Sequence, residues 1–369
     1  MNRKTREREP AIGTDPRADR APWGWDAAHR ELRVAVVGAT GAVGRELLGL
    51  LADADHPAAR VDARARRDSS LEIARGRRFT VRALSVVAGG AAGLDGLDES
   101  EVAFLCTPSE VSLALAPRLV ERGVRVIDLS SAHRMLAEIP LVVPEINGDE
   151  LDRAPRMIAN PNCTTAIAAL PLAVIDRAAG LSEVVVVSFQ AASGAGLAGL
   201  QTLEREARRA AGVAPAAESD VASPFPSTLA LNVIPAVADV DQHGTSGEER
   251  KVVEETRKIL GRPELAVDVT TTRVAVERCH SVAVHVVTTR EIPLERVREL
   301  LASAEGIELT DDPHGPRPRE CAGTDPVHVG RIRKGGRGSR SLCFFAVGDQ
   351  LRKGAALNAL QIAARLPPR

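Results

Sequence analysis

The stretch MIANPNCTTAIAALPLAVI, residues 157–175, sets one cysteine between turn-forming residues and a helical pattern. Asn160, Pro161 and Asn162 turn the chain, and the segment after them reads as a helix with Cys163 in its first turn. At such a position the helix dipole and unpaired N–H groups favour the thiolate, so the spacing predicts a lowered pKa. The same N–H groups are placed to hold an oxyanion while a carbonyl carbon is attacked. Cys106 and Cys343 lie in apolar runs and read as small core residues; Cys163 has polar flanks. A thiol nucleophile needs a proton partner. His280, in RCHSVAVHV, stands beside Ser281 at a strand start, with Arg273 seven residues earlier. His280 reads either as that partner or as a structural residue, and His285, in an alternating run, reads as structural.

A second feature is VAVVGATGAVGRELL, which places Gly38, Gly41 and Gly44 between a buried strand and a helix. Small residues there let the backbone approach a pyrophosphate, which the helix N-terminus attracts. A tight structural turn is the alternative reading; the strand–turn–helix context at a domain start favours the dinucleotide. A nucleophilic thiol beside a dinucleotide domain suggests one reaction type. The thiolate adds to an aldehyde or an activated acyl group, and a nicotinamide exchanges hydride with the adduct. The next strand carries Asp62 but ends in Arg64, Arg66 and Arg67. An acidic residue there suits a ribose hydroxyl and arginine suits a 2′-phosphate, so the pattern predicts NADP. A solvated basic edge is the other reading.

These residues need elements to hold them. Strand patterns over 33–37, 102–106 and 124–129, with a helix over 110–122, are continuously apolar and alternate with helices. That is the pattern of a doubly wound parallel-sheet α/β domain of Rossmann type. After Cys163 the texture changes. SEVVVVSFQAASGAG and VTTTRVAVERCHSVAVHVVTTR give long strand signals, while GLQTLEREARRAAG and SGEERKVVEETRKIL read as helices. This predicts a second, α+β domain with a largely antiparallel or mixed sheet. The expected division is a flexible charged extension over 1–30, a dinucleotide domain over 31–161 and a catalytic domain over 162–349. A C-terminal helix over 350–366 is expected to pack back on the first domain.

The chain has 369 residues with a formal net charge of −1, which gives no electrostatic case for nucleic acid or an anionic membrane. No apolar run approaches the ~20 residues of a membrane span. The N-terminal segment lacks the apolar middle of a secretory signal, and its acidic residues weigh against a transit peptide. Five scattered cysteines without a CxxC exclude a disulfide framework or zinc site as the default and predict free thiols in a reducing cytoplasm.

With these residues in place, the sequence resembles the aspartate-semialdehyde dehydrogenase family. The likeness runs from about Leu32 to Leu366, carried in order by GATGAVG, DLSSAHRM, LVVPEIN, NPNCTT, FQAASGAG, NVIPAV, EERKVVEETRKIL, HVGRIR and LRKGAALNA. The resemblance implies Cys163 as nucleophile, His280 as acid/base, Gln190 orienting the substrate or thioester, and Asn162 positioning the adduct. It implies Arg273 on the substrate carboxylate, Glu248 on its amino group, and Arg134 and Lys251 on phosphate. Gly38, Thr40, Gly41, Ala42, Val43, Gly44, Arg64, Arg66, Ser193, Gly194, Gln350 and Gly354 would contact NADP, with Gly354 nearest the nicotinamide. The implied reaction is reduction of L-4-aspartyl phosphate to the semialdehyde through a thioacyl enzyme, in synthesis of the aspartate family of amino acids. Homodimers, sometimes tetramers, paired through the second domain are implied as well.

The chain departs from the family's pattern in RVAVERCHS, where Ala275 stands for a proline and Cys279 for a glycine. If that position needs a positive φ, a cysteine there costs energy and bears on His280. Gln350 stands where asparagine is common, and the basic strand lacks the usual serine beside its arginine. Two alternatives stay open. One is a related thiol-dependent reductase of N-acetyl-glutamyl phosphate, which NPNCTT disfavours because that group resembles NPGCY. The other is a catalytically weak paralogue acting as a binding or scaffolding protein.

Overall fold

A computed structural model describes residues 23–73, 76–87, 90–92, 96–213 and 222–367. Two seven-stranded sheets organise them. In spatial order the first holds Ser69–Ile73, Arg77–Ala83, Val61–Ala65, Val34–Val37, Val102–Leu105, Arg125–Asp128 and Met157–Ala159. All neighbours are parallel except the first pair. Val34–Val37 is buried along its whole length, because helices cover both faces. Val34 and Val36 meet Leu47, Leu48 and Leu51 of helix Ala42–Asp53. Ala35 and Val37 meet Leu115 and Leu119 of helix Ser109–Glu121. The fold is the doubly wound one that the apolar strands predict. Leu357, Leu360 and Ile362 of the C-terminal helix Leu357–Arg365 join the first of these cores.

The second sheet runs Val233–Ile234, Ala266–Val274, Leu181–Gln190, His280–Thr288, Ser341–Gly348, Val327–Lys334 and Ile307–Leu309. It is mixed, with Leu181–Gln190 parallel to one neighbour and antiparallel to the other. One face packs on helix Cys163–Ala179, where Ile167, Leu170 and Leu172 meet Val184, Val186, Val282, Val284 and Phe344. On the other face Val185, Val187, Phe189, Val287 and Phe345 are only half-buried.

The N-terminal segment differs from its expectation where it is described. Trp25 has no exposed surface and belongs to the first sheet's core. Asp26 caps the turn Ala27–Arg30 in a capping box with His29, whose Nε2 lies 3.0 Å from the Ala364 carbonyl. A buried tryptophan and a cap hold residues 23–30 to the body; the rest of the predicted extension lies outside the described residues.

Candidate active site

Cys163 is the first residue of its helix and lines a cleft of about 250 Å³ with Arg134, Asn162, Ser193, Gly194, Gln350 and Gly354. The cleft opens into a groove of about 470 Å³ along the glycine turn, sharing Cys106 and Thr107 with it. That groove shares Thr40, Ala65 and Arg66 with a third hollow, which adds Arg67 and Ser69. Adjoining hollows with shared walls therefore line up from the basic strand end, past Gly38 and Gly41, to the thiol. The tight turn beside them depends on glycine. A Cβ on Gly38 would lie 2.1 Å from the Cys106 carbonyl oxygen, and one on Gly44 2.3 Å from the Gly38 oxygen. Val43 stands in the wall of the Cys163 cleft, with Ala42 opening the helix just before it. The shape and the helix N-terminus fit a dinucleotide.

The start of the nucleophile helix is tightly capped. Asn162 Oδ1 accepts the N–H groups of Thr164 and Thr165, at 2.9 and 3.3 Å. Asn162 Nδ2 donates to Glu248 Oε1 at 2.8 Å, and Gln190 Nε2 donates to the same oxygen at 3.3 Å. Two of the N–H groups expected to hold an oxyanion are therefore taken by the cap. The thiol departs from expectation too. Burial first, and the Glu248 charge second, push it up to about 11, outweighing Arg273 and Arg134, which pull it down. The dipole of a helix is a half-charge at one end; removing the sulfur from water counts for more here.

His280 and Arg273 stand one layer behind Gly194. A Cβ on Gly194 would come within 2.6 Å of the Arg273 guanidinium and 3.1 Å of His280 Nε2, so glycine keeps them close to the cleft wall. Ala191 holds both. Its N–H donates to His280 Nδ1 at 3.1 Å and its carbonyl accepts from Arg273 at 2.6 Å. Burial, reinforced by the Arg273 charge, holds the imidazole well below its ordinary pKa. With Nδ1 accepting, the neutral ring carries its proton on Nε2, a buried atom with no hydrogen-bond partner among the described residues. The loop ahead of His280 is pinned from the C-terminal segment. Cys279 has φ 74°, and its N–H donates to Gln350 Oε1 at 2.7 Å. Gln350 Nε2 donates to Ser193 Oγ. The left-handed conformation suspected at Cys279 is present, and Gln350 is long enough to brace it.

The residues expected on phosphate separate. Arg134 is in the cleft: Nε donates to the Asn160 carbonyl and one terminal nitrogen to the Leu129 carbonyl, both at 2.9 Å. The other terminal nitrogen donates to Glu255 Oε1 at 3.0 Å. Lys251 lies outside that lining, part-exposed, 3.5 Å from Glu248 Oε2. Arg64 is a correction among the cofactor residues. Its guanidinium forks onto Asp62 at 2.6 and 2.8 Å and is buried, because residues i and i+2 of a strand share a face. Its carbonyl accepts the N–H groups of Gly38 and Ala39, so it braces the turn rather than reaching along the hollows. Arg66 and Ser69 are exposed at the third hollow. Ser69 supplies a hydroxyl there that the strand pattern alone does not reveal.

Residues 33–154 match the family described as semialdehyde dehydrogenase, NAD binding domain, and residues 172–353 match semialdehyde dehydrogenase, dimerisation domain. The aspartate-semialdehyde dehydrogenase of Mycolicibacterium smegmatis is 38% identical over 352 residues, covering 91% of this chain and 99% of that one. That of Synechocystis sp. is 36% identical over 342 residues, covering 92% and 98%. The chain belongs to the aspartate-semialdehyde dehydrogenase family. A solved aspartate semialdehyde dehydrogenase II from Vibrio cholerae, complexed with ASA, superposes with a TM-score of 0.82 at 34% identity. It covers 91% of this chain and 98% of its own. Family membership and the NAD(P)-binding and dimerisation folds agree with the resemblance read from the motifs. Sequence reasoning passed over Glu255, whose spacing from Glu248 along helix Gly247–Leu260 places both on one face.

Proposed function

We propose that the chain reduces L-4-aspartyl phosphate to L-aspartate 4-semialdehyde with NADPH, reversibly, through a thioester on Cys163. The observation that carries the reading is that Cys163 and the cation Arg134 share one cleft, itself adjoining the glycine-turn groove. Arg134 would take the phosphoryl group, Arg273 the substrate carboxylate and Glu248 its ammonium, with Lys251 at the rim as a second cation for the anion. An ammonium beside Glu248 would offset one of the charges that raises the thiol. The sulfur attacks the acyl carbon, the C–O bond to phosphate breaks, and the thiol proton leaves with the departing phosphate. Gln190 and Asn162 hold the acyl group, and His280 offers its Nε2 proton to the carbonyl oxygen as negative charge develops. When bound, the nicotinamide supplies hydride to that carbon. Collapse of the resulting hemithioacetal returns the sulfur and frees the aldehyde.

On this reading residues 31–161 with 350–366 bind the cofactor, and 162–349 carry catalysis and pairing. Ser193, Gly194, Gln350 and Gly354 would face the nicotinamide, and Gly38 to Gly44 the pyrophosphate. NADP is favoured over NAD because Asp62 is already engaged by Arg64 and Arg82, whereas Thr40, Arg66, Arg67 and Ser69 line the hollow beyond it. A homodimer through the half-buried apolar face of the second sheet belongs to the same proposal, as does a cytoplasmic setting. Among the described residues no helix is long and apolar enough to cross a membrane.

Steady-state kinetics with aspartate semialdehyde, phosphate, and NADP or NAD test substrate and cofactor together. Turnover should favour NADP, and Cys163→Ala should lower kcat roughly a thousandfold or more. Activity with only the N-acetylated glutamate semialdehyde would transfer the chain to the related reductases. Sedimentation of wild type and Val187→Glu tests the pairing face, the variant being expected as monomer.

A further inference from the structure

We propose that Glu255 is a positioning residue for this reaction, orienting the anion-binding face of Arg134 and the turn that presents Cys163 with a single carboxylate. The inference rests on the function proposed above and extends it to a residue that touches neither substrate nor cofactor. Glu255 is 1% exposed. Its Oε1 accepts from Arg134 at 3.0 Å and its Oε2 accepts from the Asn162 N–H at 2.6 Å. Both oxygens therefore act as acceptors, one toward each donor.

Arg134 offers five N–H groups, and its three bonds to Glu255, Asn160 and Leu129 fix the guanidinium plane. Its other two N–H groups make no bond among the described residues, and the side chain lines the Cys163 cleft. At the other oxygen, Asn162 is held by its main chain while its side chain caps the helix and meets Glu248. Arg134 comes from the loop after strand Arg125–Asp128, and Asn162 begins the helix against the second sheet. One side chain thus fixes the distance between the anion site and the nucleophile. The same helix face adds a second hold: Lys258 Nζ donates to the carbonyls of Arg134, Leu136 and Ile139 at 2.7–2.8 Å.

Glutamine keeps the size of Glu255 but turns one acceptor into a donor, facing either Arg134 or the Asn162 N–H. Aspartate keeps the charge but is one methylene too short to reach both. The role is read in two ways: the KM for phosphate in the oxidative direction, and the phosphate concentration that half-protects Cys163 from iodoacetamide, which needs no turnover. Glu255→Gln should raise both by about tenfold or more while leaving the KM for NADP within about twofold. Glu255→Asp, the milder change, should raise both by an intermediate factor. Phosphate values within about twofold of wild type in both variants would overturn the proposal, as would parallel rises for phosphate and NADP with a lowered Tm. If the wild type fails to oxidise aspartate semialdehyde, the function above falls, and the protection readout still decides the role of Glu255.

Discussion

At the scale of the residue, the Cys163 sulfur is set by groups far away in sequence. Turn chemistry around NPNC was enough to mark the thiol, but its protonation depends on burial and on Glu248, which arrives from another helix. Removing the Glu248 charge removes a cause of the raised value, so Glu248→Gln should lower the pKa from about 11. The variant should then be alkylated faster than wild type near neutral pH, by up to about tenfold for each unit of lowering, while its KM for aspartate semialdehyde rises. Iodoacetamide rates across pH, followed by mass at Cys163, check the sign; a slower variant would contradict it. Arg66 poses the matching question for the cofactor. Arg66→Ala should raise the KM for NADP about tenfold and leave that for NAD nearly unchanged, because the lost contact is to a phosphate only NADP carries. Arg64→Ala should instead destabilise the strand, because Asp62 would keep its ion pair with the half-exposed Arg82 but lose the buried fork.

At the scale of the element, the contact that completes the site is between the nucleophile helix and the turn Arg352–Ala356, which is wound wide in π fashion before helix Leu357–Arg365. A Cβ on Gly354 would sit 2.9 Å from Cys163 Cβ and 3.2 Å from its Cα. Neither partner can yield easily, since Lys353 beside it is buried and bonded to Glu145, Asn358 and Gln361. Gly354→Ala should therefore cost about 1–3 kcal/mol by overpacking and lower kcat more than it raises the KM for NADP. Thermal unfolding and initial rates measure the two effects; an alanine variant with wild-type Tm and kcat would refute the close approach. The parallel strands were legible because burial on both faces makes them continuously apolar. The edge hairpin Ser69–Ile73 and Arg77–Ala83 was not: only Leu71, Phe79 and Val81 point inward, among arginines and serines. Glu255 and Lys258 were equally hidden, because helical charges normally face water, and here Glu255 is buried against Arg134 and Lys258 ties down the loop that carries it.

At the scale of the whole molecule, the N-terminal segment was the least legible part, since a charged, proline-rich stretch gives no sign that Trp25 ends in a core. Trp25 packs edge-on against His56, with ring centroids 5.6 Å apart. His56 is fully buried, and neither ring nitrogen has a hydrogen-bond partner among the described residues. Burial first, then the charges of Arg60 and Arg77, lower its pKa from 6.5 to about 4. Proton binding sets the sign of the effect on stability. Above pH 6.5 both folded and unfolded forms are neutral; between 6.5 and about 4 the unfolded chain binds a proton that the folded one refuses. Stability is therefore full above that window and falls as pH drops through it, by on the order of 2 kcal/mol for His56 between 6.5 and 5. His280, also held neutral, adds to the same trend. His56→Leu keeps an apolar group against Trp25 and cannot be protonated, so it should flatten the acid limb whatever it does to stability at neutral pH. The test compares Tm at about pH 7.5 and about pH 5 for both proteins. The drop should be smaller in the variant by a few degrees, and an equal drop would mean that His56 charges without leaving the core.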